Sequence, residues 1–229
     1  MTKNNETRSY SMSDADLGKT AMGLATSIKR DLTDFATRNI TAADVTSFET
    51  ITDDFNNTPT DEELLGELTE ATENKNKTMT DIKVAIRPIR NMAELVYKSK
   101  GKYNSFSFED MDSMTDFETF RLATRVVRVG TKYMADLSTK GLTQAQLTAL
   151  QTLAALLFTQ METVEDKQEN RDIETQHRIH KGNILWDKTV ELASIGKSIY
   201  ADTTPAKYND YVLITTPTPA VPPVTPPAQ

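Results

Sequence analysis

The sequence predicts an all-α fold: two tandem three-helix units forming an elongated helical bundle, with an extended proline-rich C-terminal tail. Three observations carry this. Apolar residues recur at steps of three and four along most of the chain, the spacing that gathers them on one helix face. A threonine followed three positions later by Asp, Glu or Gln falls at four of the places where the repeat wants a helix to start: Thr41 with Asp44, Thr60 with Glu63, Thr115 with Glu118 and Thr143 with Gln146. There the hydroxyl can accept from a first-turn N–H while the acid or amide reaches back to the cap. Finally, Gly101-Lys102-Tyr103-Asn104-Ser105-Phe106 is answered by Ala206-Lys207-Tyr208-Asn209-Asp210-Tyr211, each motif closing a helical stretch of roughly 95 residues, as repeat architectures do.

The duplication is legible away from the closing motif. Asp34, Arg38, Ile40, Thr41, Val45, Phe48, Ile51 and Phe55 match Asp136, Lys140, Leu142, Thr143, Leu147, Leu150, Leu153 and Leu157 at constant spacing. Further on, Glu73-Asn74-Lys75 matches Glu169-Asn170-Arg171 at a shorter spacing, so the loop Asn56-Asn57-Thr58-Pro59-Thr60 is the longer connection. The expected organisation is an N-terminal arm at 1–13, helical units at 14–106 and 116–211 joined by a linker at 107–115, and a tail at 212–229.

The first helix carries Leu17, Ala21, Leu24, Ile28, Leu32 and Phe35 on one stripe and ends near Arg38-Asn39. A second begins at Thr41. The third, after Pro59, carries Leu64, Leu65, Leu68, Met79, Ile82, Ile86, Ile89, Met92, Leu95 and Val96, with Pro88 inside; a kink or break is expected near Ala85, because proline removes one hydrogen bond and crowds the preceding turn. The run 143–201 contains no proline. It is expected to turn between Thr159 and Asp166, matching the first unit, rather than form one very long helix. Between Glu165 and Asn183 the only large aliphatic residues are Ile173 and Ile179, so that stretch buries little apolar area.

Composition bounds the function. The chain has 229 residues, 38% hydrophobic and 26% charged, with no cysteine and a net charge of -7. Disulfide and thiolate chemistry are excluded, and the negative balance argues against non-specific attraction to nucleic acid or anionic membrane. No secretory signal is visible and no apolar run reaches membrane-spanning length. The compartment stays open: cytoplasmic, or part of an assembly released by a non-classical route.

Four apparent motifs read as structure. Gly18-Lys19-Thr20 and Gly196-Lys197-Ser198 resemble the end of a phosphate-binding loop, yet Ser13 and Glu191 stand where its first glycine belongs. Glu174, His177 and His180 share a helix face, but the repeat supplies Thr78 and Asp81 where a di-metal bundle needs its second ligand pair; no metal, cofactor or small-molecule substrate is expected. Arg121, Arg125, Arg128 and Lys132 form a basic stripe, which the nearby acids Glu109, Asp110, Asp112, Asp116 and Glu118 are expected to neutralise. Trp186 lies among Leu185, Val190 and Leu192 and reads as core.

The tail carries no charge from Val212 onward and holds Pro217, Pro219, Pro222, Pro223, Pro226 and Pro227. Such a segment prefers polyproline II, a stiff spacer or a docking ligand. With the aromatic corners Tyr103, Phe106, Tyr208 and Tyr211, the prolines at 217, 219, 222 and 223 are the expected protein interface, and the arm or tail is expected to lie on an adjacent copy.

The phrases Phe35-Ala36-Thr37-Arg38-Asn39, Thr60-Asp61-Glu62-Glu63-Leu64, Glu169-Asn170-Arg171-Asp172-Ile173-Glu174-Thr175-Gln176, Leu192-Ala193-Ser194-Ile195-Gly196-Lys197 and Lys207-Tyr208-Asn209-Asp210-Tyr211 resemble a family of functionally uncharacterised bacterial all-helical proteins. The resemblance covers about Arg8 to Ile214 and implies bacterial origin but no activity. The expected function is therefore structural: a non-enzymatic protein that self-associates, as a homo-oligomer, or decorates a larger assembly such as a filament, phage particle or surface layer. The alternative is a monomeric adaptor whose tail docks onto a separate partner. An enzyme is not expected, since no serine stands beside a base and the carboxylates are not paired by the sequence.

Overall fold

The computed structural model describes residues 6–98 and 101–213, and among these every regular element is helical. In chain order they are α1 (Asp14–Arg30), α2 (Leu32–Ala36), α3 (Ala42–Asn56), α4 (Asp61–Tyr97), α5 (Gly101–Asn104), α6 (Asp116–Lys132), α7 (Met134–Leu137), a 3₁₀ turn (Ser138–Lys140), α8 (Gln144–Tyr200) and α9 (Pro205–Asp210). The all-α expectation holds. The tail prolines Pro217, Pro219, Pro222 and Pro223 lie outside the described residues.

The helix starts follow their caps. Thr41 and Thr115 each close a reciprocal capping box, with Asp44 and Glu118, and Thr143 exchanges hydrogen bonds with Gln146 in the same way. Ser13 caps α1 by accepting from the Asp16 N–H, a start the sequence reading missed. Each such cap is worth about 1 kcal/mol.

The first stripe is interrupted. Rather than one helix to Arg38, α1 stops at Asp31, whose backbone sits at φ -103°, ψ 19°, and α2 resumes beyond it. The same break recurs at Tyr133, at φ -109°, ψ 22°, between α6 and α7. Both segments then close alike. Asn39 (φ 60°) and Gly141 (φ 98°) adopt left-handed backbone, which lets Ile40 N–H reach Phe35 C=O and Leu142 N–H reach Leu137 C=O. Asn and Gly are the residues that tolerate this conformation after a helix.

Two long helices correct the sequence reading. α4 runs through Pro88 without a break, because both Pro88 and Val84, whose carbonyl loses its donor, lie on the exposed face, where water takes over. α8 runs from Gln144 to Tyr200 with no turn between Thr159 and Asp166. Its polar middle is held by charge instead of apolar area. Lys167 pairs with Glu67 and Arg171 with Asp61, while Arg178 donates to Pro59 C=O and Lys181 pairs with Asp54.

The chain forms two compact units, which divide it differently from the expected tandem boundaries. A terminal unit comprises residues up to Thr60 together with those from Asp172 onward, and a central unit comprises Asp61–Arg171. The terminal core is made by Leu17, Leu24 and Ile28 of α1, Phe35 of α2, Val45, Phe48 and Phe55 of α3, and Leu185, Leu192 and Tyr200 of α8; Trp186 packs against it. The central core joins Ile82, Ile86 and Ile89 of α4 to Leu122, Val126 and Val129 of α6 and Leu147, Leu150 and Leu157 of α8. Each fully buried aliphatic or aromatic side chain contributes about 1.5–3 kcal/mol. The expected linker 107–115 is part of the central core, since Phe108 and Met111 are buried there.

Candidate functional site

Where α9 meets the α1–α2 break, three aromatic rings and four charged side chains converge in the terminal unit. The Asp31 carboxylate, its side chain 1% exposed, accepts from Arg30 Nη2 at 2.7 Å, Lys207 Nζ at 2.8 Å and Tyr211 Oη at 2.9 Å. A buried carboxylate needs this many donors to remain charged. Arg30, then Lys207 and Tyr211, hold its pKa well below the carboxylate range against the opposing effect of burial. One turn on, Asp34 accepts from Tyr200 Oη at 2.6 Å and Lys207 Nζ at 3.3 Å, and both lower its pKa, Tyr200 more.

The rings complete the latch. Tyr211 lies 5.4 Å from Phe35 and 5.8 Å from Tyr200, centroid to centroid, and Lys207 Nζ stands 4.8 Å from the Tyr200 ring centroid. Burial is the main cause pushing Tyr200 up to about 12 and Tyr211 further still. Gly196 explains its own presence here, because a Cβ on it would overlap the Tyr211 ring. Gly18 likewise leaves room for the Asn56 side chain. Both phosphate-loop lookalikes are thus packing glycines on helices.

The central unit contains a second cluster of the same kind. Asp136 accepts from Lys102 Nζ at 2.9 Å and Tyr97 Oη at 3.1 Å; Lys102 first, then Tyr97, lower its pKa. Burial and then Asp136 push Tyr97 up to about 12. Lys102 Nζ lies 5.3 and 5.1 Å from the Tyr97 and Tyr133 ring centroids. Below it Phe106 stacks on Phe108 at 5.1 Å.

These placements revise the expected interface. Phe106 and Tyr211 are 0% exposed inside their own cores and offer no surface to a partner, because each closing motif folds back over its own unit. Tyr103 and Tyr208 are half-buried, Tyr103 against Phe108 and Tyr208 against the terminal core. The described part of the arm also packs on its own chain. Ser9 N–H donates to Asn183 Oδ1 at 2.8 Å, Asn183 Nδ2 donates to Thr7 C=O at 2.9 Å, and Tyr10 is buried against Gly182 of α8.

The histidines do not converge. His177 Nδ1 lies 3.5 Å from Glu174, while His180 Nδ1 lies 2.9 Å from Glu6 of the arm. The acids reach the arginine stripe without forming ion pairs with it: Asp116 pairs with Lys75, Asp112 with Arg87, and Glu118 caps Thr115, whose hydrogen bonds, helped by the Arg121 charge, lower the Glu118 pKa. Among the described residues Arg121, Arg125 and Arg128 have no ion-pair partner. A cleft of about 520 Å³ beside Arg121 and Arg125 is also lined by Glu109, Asp110 and Glu118, so its charges are mixed.

The surface feature that sequence reasoning missed is aromatic. Phe117 and Phe158 are 50% and 40% exposed, and half-buried Phe120 bridges them at centroid distances of 5.8 and 5.4 Å. The signal lay in Phe117 and Phe120 sitting three apart at a capped helix start. No described helix is long and apolar enough to cross a membrane. Set against models of protein families, curated proteins and solved structures, the chain matches none.

Proposed function

We propose that this chain is a non-enzymatic structural protein, built from a duplicated helical unit, that self-associates or decorates a larger assembly. The observation that carries the reading is the exposed cluster Phe117, Phe120 and Phe158. Contiguous apolar surface of this kind marks interaction sites, and aromatic side chains are the ones most enriched at interface centres. The unusual ionisable groups serve rigidity, with Asp31, Asp34 and Asp136 all engaged by tyrosines and lysines that clamp helix ends.

The duplication is supported by paired details: Asp34 with Asp136, Tyr200 with Tyr97, Lys207 with Lys102, and the helix breaks at Asp31 and Tyr133. Negative-stain electron microscopy of the concentrated full-length chain tests the structural role. Regular particles or filaments are the expected outcome, and a field of dispersed monomers at all concentrations counts against it.

A further inference from the structure

We propose that the exposed aromatic cluster of the central unit receives the proline-rich segment 214–229 of a second copy of this chain. This rests on the self-association reading and names its contact. The segment lies outside the described residues, sixteen positions long, uncharged, with six prolines. Such a sequence presents flat pyrrolidine rings and carbonyl acceptors with few N–H donors. Its complement is a surface of aromatic faces with donors beside them, the chemistry by which proline-rich segments are bound.

The central unit offers both. Phe117, Phe120 and Phe158 form a continuous set of rings across α6 and α8. Arg121 follows Phe117 by one turn of α6 and Arg128 by three, spacings that keep them on one face. Both guanidinium groups are exposed, and neither has an ion-pair partner among the described residues. They are donors available to the carbonyls of an extended segment. A tail from one copy seated on the next is a head-to-tail contact, which builds rings or filaments.

The test uses the full chain and two variants, measuring molar mass by light scattering over a concentration series. One variant carries Phe117→Ser with Phe158→Ser; the other carries Pro217→Ser, Pro219→Ser, Pro222→Ser and Pro223→Ser. Each variant alone is expected to associate only at concentrations at least about tenfold above the wild type. An equimolar mixture is expected to form pairs at wild-type concentrations and grow no further, since one copy brings an intact tail and the other an intact patch. The tail variant leaves every described residue unchanged, so the result does not hang on the aromatic variant folding.

Wild-type association left unchanged in both variants would overturn the docking while leaving self-association standing. Loss in the aromatic variant alone would overturn the tail as occupant and assign the patch to another surface of the second copy. A wild-type chain that stays monomeric overturns both the docking and self-association.

Discussion

The two tyrosine–aspartate–lysine clusters solve one problem with different chemistry. In the terminal unit the helix break is made by Asp31, a buried carboxylate that must be satisfied by Arg30, Lys207 and Tyr211. In the central unit the break is made by Tyr133, and Phe106 fills its own core, so ring packing replaces the buried charge. The difference teaches that the geometry of the break does not require the carboxylate. What Asp31 adds is a fully buried charge that its partners must satisfy, whereas the carboxylate of the central cluster, Asp136, keeps access to water.

Substitutions at these positions sharpen that contrast. The largest loss is expected from Phe106→Ala, about 4 kcal/mol, because a fully buried ring leaves a cavity; a change below 1 kcal/mol in urea unfolding would refute the packing role. Next comes Asp31→Ala, about 3 kcal/mol, with its effect seen in the fluorescence of Trp186, the single tryptophan, which packs on the terminal core. Tyr211→Phe is expected to cost about 2 kcal/mol, the value of a hydrogen bond to a charged group. At the counterpart of Asp31, Tyr133→Phe is expected to stay within about 0.5 kcal/mol. Equal losses for Asp31→Ala and Tyr133→Phe would erase the distinction.

Acid and alkali act on both clusters, since Asp136 is lowered as well, though the Asp31 carboxylate is the more deeply buried. The Asp31 pKa is lowered on folding from its ordinary 3.8, so its stabilisation is present above about pH 4 and is lost as pH falls below that value. Tyr200 and Tyr97 are both raised from 10.0 to about 12. Their contribution is complete below pH 10 and is lost as pH rises through 12, in both units. Acid titration should therefore lower the urea stability read by Trp186 fluorescence below about pH 4, and alkaline titration through pH 12 should weaken both units. Equal unfolding stability at pH 5 and pH 2, read by Trp186 fluorescence in urea, would contradict the role given to Asp31.

The helix starts at Thr41, Thr115 and Thr143 were legible because a capping box is a local code. So was the core stripe of α1. The continuity of α8 was not, because its polar middle is held by Glu67, Asp61 and Asp54, partners about 100 or more positions away. The contacts of Asp31 and Asp34 were hidden for the same reason, their tyrosine partners lying 180 and 166 positions on. The equal spacing of Asp34 to Asp136 pointed at them, and the repeated lysines pointed at their neighbours. Phe106 and Tyr211 were read as surface because aromatic residues beside Lys and Asn look like a rim. The fold turns their rings inward while the charged neighbours stay outside.

One measurement bears most directly on the structural role: the molar mass of the full-length chain in solution from micromolar to millimolar concentration. A mass that climbs from 25.6 kDa toward large multiples is the expected result. A constant 25.6 kDa across the whole range would contradict self-association.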